Sequence, residues 1–562
     1  MPEQRPGPEP DDVMPVGYAG KMAVFPVPPT KLKQHERIQE ARLTSLVRAD
    51  VIRPVGTAGE ALANYLDRCE EIVCQEIIED VGAYSKAQWL WYLRRIDDRV
   101  YGRGPDSNYH RNLAEVITGL GGAASSSQVP TKNEYPYTEE TVDSVCRLAG
   151  SVKYLSKILW LKRILARGLT LAFTDDPALP SPIGGPAYTP ALQLYHDRRL
   201  KGANSFLSKA GTELTVRARG EDVPLGILVP SRIGVTEQEI EGHGRHGRTI
   251  DRISQSYADF WFSIDRVSNL ARHLRHHTSW PSNEFWSLAL GLRLTSRLVP
   301  SMRAPWLSFL QFSYVSVDYD YLIELFDSVW SNTISEFEGA APRALLPRNA
   351  AAVGEFLQQP CGSVLPLRLG PVIRLDRNLA LLDICAAVSS LEATIVFPVE
   401  QGRSANVRSG HFETAIQQII DTSPWRPPSA LRELRGRALR HNGQALTDVD
   451  AIAAKNHRVL IVSAKSVAAS PDYEAGSYRA SRNTATTVLQ ACDDARRVRN
   501  TLVTQPKGDN FDFSRYFEIE VVVCTPYLIY VPLGPATVAV YDGLRAAVTL
   551  AELNDFLTGR VP

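Results

Sequence analysis

The chain has 562 residues, 62 Lys and Arg against 62 Asp and Glu, a formal net charge of zero and an apolar share of 44%. That length exceeds one ordinary core, so two or three domains are expected, and the neutral balance excludes binding of a polyanion by bulk charge alone. The seven cysteines, Cys69, Cys74, Cys146, Cys361, Cys385, Cys492 and Cys524, form no C-x-x-C pair, which argues for reduced thiols in a cytoplasmic protein and against a disulfide scaffold or zinc ribbon. No apolar run reaches the roughly 20 residues of a membrane span, and the first residues lack the basic start and apolar core of a signal peptide, so no membrane association is expected.

Residues 1–30 are proline-rich and polar and read as a flexible tail. Residues 31–175 carry helical periodicity: 61–66 lead into Ile72, Val73, Ile77 and Ile78, residues 85–93 read as a capped, strongly buried helix, and 154–166 as another. Residues 176–250 are punctuated by proline and glycine and hold strand-like pieces at 212–216 and 226–229. Residues 251–399 turn helical and tryptophan-rich (Trp261, Trp280, Trp286, Trp306, Trp330) and end mixed, with a helix-like run at 379–391 and a strand-like one at 394–397. The sequence at 242–247 spells G-x-G-x-x-G, but the acidic stretch before it is no buried strand, so a basic loop is the better reading. His273, His276 and His277 fall at helical spacing without accompanying cysteines, which favours a polar helix face over a zinc site.

From residue 400 the order becomes α–β–β–α–β. A helix over 411–421 precedes a break at Pro424-Trp425-Arg426-Pro427-Pro428, and residues 447–465 read as two apolar strands joined by the turn Asn456-His457. In that register Asp450 lies opposite Ser463 and Asp448 opposite Lys465, all four on one face. A polar helix over 478–502 follows, then strands at 517–523, 527–531 and 538–541, and a closing helix at 550–557. Acids beside a lysine on a sheet face suit hydrolysis of a phosphodiester: carboxylates hold a divalent cation, and a lysine offsets the charge that builds on phosphate. Glu413, on a helix whose Phe412, Ile416 and Ile419 bury it on the sheet, reaches the rim of such a site.

This succession of a helix with Glu413, Asp450 opening a strand, a turn, an apolar strand ending Ser463-Ala464-Lys465, and a helix with Gln490 resembles the PD-(D/E)XK nuclease superfamily. The resemblance covers residues 400–562, and the N-terminal region resembles no family. Length and periodicity give a multi-domain protein with a mainly α-helical N-terminal region, and the resemblance implies a C-terminal α/β restriction-endonuclease-like domain, a mixed central sheet flanked by helices. It implies Asp450 as metal ligand, Lys465 as catalytic lysine, Glu413 as the first-helix glutamate and Gln490 as the following helix's glutamine, with Asp448 an extra acid for Mg²⁺ or Mn²⁺. The expected function is metal-dependent cleavage of DNA, less readily RNA, by an effector whose N-terminal region recognises a nucleic acid, a protein partner or its own assembly, in a setting such as anti-phage defence.

The departure is Ser463, where the family has a metal-binding Glu or Asp. Three readings stay open: the acid is supplied by Asp448, Glu413, Asp472 or Glu474; the fold is a catalytically degenerate nucleic-acid-binding or scaffold subunit; or the pattern is coincidental. Residues 401–510 carry 16 Lys and Arg against 10 acids, an excess that suits either nucleic acid or an ordinary solvated surface.

Overall fold

A computed structural model describes residues 25–54, 59–94, 96, 135–173, 178–183, 189–195, 197–198, 215–218, 221–224, parts of 286–294, 314–338, 343–358, 372–374, 379–383, 403–467, 478–526, 528–541 and 543–559. The glycine-rich 242–247 stretch, His273, His276, His277, Trp261, Trp280, Trp306, Asp472, Glu474 and the strand-like segments at 226–229 and 394–397 lie outside the described residues. No described helix is long and apolar enough to cross a membrane.

The first part is helical. Helix α1 (Pro29–Asp50) and α2 (Gly59–Val81) pack on α4 (Glu139–Ala166), and Trp89, Leu90 and Tyr92 of α3 (Lys86–Arg94) belong to the same core. In α2 the buried positions Leu62, Leu66, Cys69, Val73, Ile77 and Val81 recur every three or four residues and form the stripe that meets α4. Gly150 lets α4 approach α1 closely; a methyl there would lie 3.1 Å from the Glu36 Cα and the His35 carbonyl oxygen. The cap expected for the 85–93 helix is present: the Gln88 N–H donates to Ser85 Oγ at 3.3 Å and the Ser85 N–H to Gln88 Oε1 at 3.0 Å. Trp89, inside it, donates its indole N–H to the Val81 carbonyl at 2.8 Å. Phe25 and Val27 are buried in this core, so the part of the expected tail from residue 25 onward is packed structure.

Strand β1 (Thr170–Ala172) pairs with β2 (Ser181–Ile183), and β3 (Thr215–Ala218) with β4 (Glu221–Pro224); β3 overlaps the strand expected at 212–216, whose residues 212–214 lie outside the described residues. Strands β5 (Tyr314–Asp318), β6 (Val372–Arg374) and β7 (Leu379–Asp383) form an antiparallel sheet in the order β5-β7-β6, beside α5 (Tyr319–Glu338) and α6 (Ala350–Leu357). The run at 379–391 therefore begins as a strand instead of the expected helix. A short apolar stretch such as Leu379-Ala380-Leu381-Leu382 has no period that separates the two, and here β7 is paired on both sides and buries Ala380 and Leu381.

The last part is a mixed sheet between helices. Strands β10 (Ala451–Lys455), β11 (Arg458–Ala464), β12 (Glu518–Thr525) and β15 (Ala547–Thr549) stand in that order, the first pair antiparallel and the other two parallel. Alternation divides their side chains. Ile452, Val459, Ile461, Val521 and Val523 face α8 (Tyr478–Thr504) through Val488, Cys492 and Leu502. Ala453, Leu460, Val462, Val522 and Cys524 face α7 (Arg403–Asp421) and α9 (Leu550–Leu557) through Phe412, Ile416, Ile420, Leu553 and Leu557. Both faces being covered explains why β11 and β12 are apolar almost throughout. The expected strand at 527–531 is irregular over its described residues 528–531, although Ile529, Tyr530 and Val531 are buried. The one at 538–541 is β13 (Ala539–Tyr541), paired with β14 (Leu544–Arg545). The five described cysteines are free thiols.

Candidate active site

The site expected from sequence sits where β10 begins and β11 ends. The Asn456-His457 turn is present, with Asn456 at φ 54°, and the register pairs Lys455 with Arg458 and Ala451 with Val462. Asp450 therefore lies one step beyond the last pair, beside Ser463. Its Oδ2 accepts the Ala464 N–H at 2.7 Å, a bond that fixes the carboxylate at the strand end. The Lys465 N–H continues the parallel ladder to the Cys524 carbonyl at 2.9 Å.

Asp448 does not take the place expected for it. Residues 444–448 form β9 (Gln444–Asp448), which pairs with β8 (Ala438–His441) across an Asn442-Gly443 turn, and Asp448 pairs with Ala438 instead of Lys465. Val449 still bonds the chain before β8, its N–H donating to the Arg437 carbonyl at 3.1 Å and its carbonyl accepting the Gly436 N–H at 2.8 Å, and pairing with β11 starts at Ala451, so Asp450 occupies the joint between two hairpins. Both Asn442 and Gly443 have positive φ, the requirement of a two-residue hairpin turn.

Burial pushes the Asp450 carboxyl up to about 6; the Ala464 N–H bond opposes this, the charge of Glu413 adds to it, Lys465 opposes it and Asp448 adds to it. Four charged side chains from α7, β9, the β9–β10 joint and the end of β11 thus share one electrostatic neighbourhood. Glu413 is partly buried on α7 and accepts a hydrogen bond from Ser409 Oγ at 3.1 Å. Phe412 and Ile416 are buried on the sheet, as the apolar spacing implied. Gln490 is exposed on α8, beside the stripe of Val488, Ala491 and Cys492 that meets the sheet, and is not among the groups that act on Asp450.

Among the described residues no three His, Cys, Asp or Glu side chains converge as a ready-made metal cage. Mg²⁺ does not demand one. It keeps several waters and is commonly held by one or two carboxylates together with substrate phosphate. The hard oxygen donors of Asp450 and Glu413, with Asp448 nearby and the charge on Asp450 incompletely offset, fit that cation in chemistry. Ser463, partly buried at its strand end, supplies no charge to it.

One residue that positions this site escaped the sequence reading. Gln417 is 2% exposed on α7, and its side-chain amide clamps the free edge of β10: the Ile452 N–H donates to Gln417 Oε1 at 3.0 Å and Gln417 Nε2 donates to the Ile452 carbonyl at 3.2 Å. The Ala454 N–H donates to the Trp425 carbonyl at 2.9 Å. The outer edge of the sheet is thereby closed, and the helix bearing Glu413 is tied two residues from Asp450. A glutamine inside the apolar stripe Phe412-Ile416-Ile420 was the available signal.

Several of the basic residues of 401–510 are engaged at short range. Arg432 pairs with Asp421 at 2.6 Å, Arg496 with Asp493 at 2.9 Å, Arg497 with Asp494, and Arg499 with the buried Glu520 at 2.7 Å, while Arg435 donates to Thr414 Oγ1 at 2.8 Å.

No family model matches the chain, and no curated protein or solved structure was found to be similar to it.

Proposed function

We propose that residues 400–562 are a PD-(D/E)XK-type phosphodiesterase domain that cleaves DNA, or less readily RNA, with Mg²⁺ or Mn²⁺. The helical N-terminal region would act as the recognition or regulatory part, through a partner or self-assembly, of a cytoplasmic defence effector. The observation that carries this reading is the largely buried carboxylate of Asp450, anchored at the strand end by the Ala464 N–H and acted on by the charges of Glu413, Lys465 and Asp448.

Asp450, with either Glu413 or Asp448 as a second carboxylate, would hold the cation. When bound, the cation lowers the pKa of a coordinated water and offsets charge on the phosphate. Asp450 needs no reorganisation to act as a ligand, because the Ala464 N–H holds one oxygen and leaves the other free. Lys465, one residue beyond β11 and held by its N–H on the Cys524 carbonyl, would place an ammonium where charge accumulates on the phosphate oxygens, a contribution of roughly 10²-fold or more in rate. Gln417 keeps α7 and β10 in fixed relation, so Glu413 and Asp450 do not drift apart.

The test is cleavage of supercoiled plasmid and of structured RNA with Mg²⁺ or Mn²⁺ by wild type, Asp450→Ala and Lys465→Ala. Activity confined to wild type supports the reading; equal activity in all three removes this site from the mechanism. Ser463 favours a second reading, a domain that binds nucleic acid or a partner without cutting. Wild type would then be inactive with either metal, and Ser463→Glu, which restores the family's acid beside Asp450, would gain cleavage.

A further inference from the structure

We infer that the turn end of the β10–β11 hairpin, remote from Asp450, carries a cleft for a single-stranded nucleic acid. A cavity of about 590 Å³ lies there between the 424–428 loop, the hairpin turn and the Arg515-Tyr516 step. Arg426, Lys455, His457 and Arg515 line it, and no acidic residue does. All four are exposed. Among the described residues Arg426, Lys455 and Arg515 have no carboxylate within ion-pair distance, whereas their neighbour Arg458 is paired with Glu518 at 2.8 Å. Three unneutralised cations around one concavity focus a positive potential and suit the phosphates of a nucleic-acid backbone.

The cleft is rigidly built. The Ala454 N–H to Trp425 carbonyl bond, 2.9 Å, fixes its loop wall to the edge strand. The Phe517 N–H donates to the His457 carbonyl at 2.9 Å and fixes the hairpin turn to the start of β12. Arg515 is held over the Tyr516 ring, 4.9 Å from its centroid.

A stacking surface adjoins the cations. Phe517 is 81% exposed, and its ring lies 5.0 Å from the imidazole of His457. Leaving a phenylalanine in water forgoes about 2 kcal/mol of burial, which a stacked base would recover. A duplex offers no free base face to such a platform, so aromatic and cations together favour a single strand. Asp450 lies at the other end of β10, five residues from Lys455 and so about 17 Å away along the strand. The inference shares with the proposed function only its class of ligand and requires no cleavage.

The experiment is fluorescence anisotropy of a labelled oligothymidylate of about 20 nucleotides with the full chain, in EDTA, a length that exceeds the footprint of one such groove. The variants are Arg426→Glu/Arg515→Glu, Phe517→Ala, and Arg496→Glu/Arg497→Glu, an equal charge change on α8. The cleft pair is expected to weaken binding at least ~30-fold and Phe517→Ala about 5- to 50-fold, from one stacked base. The α8 pair should stay within about threefold, as screened distant charges do. Thermal unfolding of each variant controls for folding, and ultraviolet crosslinking of wild type to the oligonucleotide should label the peptide that contains Phe517. No binding by wild type, equal loss in both double variants, no loss with Phe517→Ala, or equal competition by duplex DNA or tripolyphosphate each overturns the inference. Cleavage with Mg²⁺ by Asp450→Ala is read separately, so failure of the cleft and failure of the catalytic reading are distinct results.

Discussion

At pH 7 Asp450 is mostly ionised although burial and the charges of Glu413 and Asp448 oppose it. Its carboxyl titrates near 6 in the fold against about 3.8 unfolded, so the folded chain binds more protons between those values. The sign follows: the favourable contribution is full below about 3.8 and is lost as pH rises through 6, leaving a cost of up to about 3 kcal/mol at neutral pH. Asp450→Asn keeps an acceptor for the Ala464 N–H and should stabilise the domain by about 1–3 kcal/mol at pH 7 and by almost nothing at pH 4, measured by urea denaturation at both values. Millimolar Mg²⁺ should raise the unfolding temperature of wild type and raise that of Asp450→Asn clearly less, since the amide removes the central carboxylate of the cation site. Gln417 shows the opposite balance. Gln417→Met fills nearly the same volume but leaves the Ile452 N–H and carbonyl without partners, and should cost about 2–4 kcal/mol in the same denaturation experiment.

At the scale of elements, the Asn442-Gly443 turn decides where Asp448 goes. Gly443 sits at φ 77°, and its N–H donates to Asp509 Oδ2 at 2.7 Å while the Asn442 N–H reaches Asp509 Oδ1 at 3.2 Å. Gly443→Ala forces a side chain into the left-handed region and should cost about 1–2 kcal/mol, read as a lower midpoint in urea. The legibility of the sequence divides at this turn. The Asn456-His457 hairpin, the burial of α7 through Phe412 and Ile416 and the closing helix at 550–557 could all be read, because each expresses a local period or turn preference strong enough to survive tertiary context. Alternation carried through 447–450 as one strand misplaces Asp448, because alternation alone does not register where pairing changes partner. The Asn-Gly pair six residues before Asp448 was the corrective signal. Gln417 and the trio Arg426, Lys455 and Arg515 were unreadable for another reason: their roles rest on contacts between segments up to 90 residues apart, which no local pattern encodes.

Across the whole molecule, ties of different strength join the earlier segments to the C-terminal part. Arg479, at the start of α8, reaches Glu60 at the start of α2, and Tyr478 packs against Gly59. Both charged groups of that pair are exposed, so Arg479→Ala should change stability by less than about 1 kcal/mol. Arg198 is different. Its side chain is 10% exposed, it grips Glu552 through Nε at 2.8 Å and Nη2 at 2.7 Å, and Nη2 also reaches the Ala547 carbonyl at 3.0 Å. Burial pushes the Glu552 carboxyl up, but Arg198 and the Thr549 N–H outweigh it and hold the group below its ordinary value. The stability that this pair adds is therefore present above the usual glutamate pKa and lost as pH falls through the lowered one. Glu552 also closes the capping box of α9 with Thr549, so the ion pair and the helix start are one unit. Arg198→Met leaves a largely buried carboxylate uncompensated and should lower stability by about 2–4 kcal/mol at pH 7. Adding Glu552→Gln to it should recover part of that loss, because the neutral amide still caps α9 without stranding a charge. A double-mutant cycle by thermal unfolding measures the difference, and simple additivity of the two substitutions would show that Arg198 and Glu552 do not act as a pair.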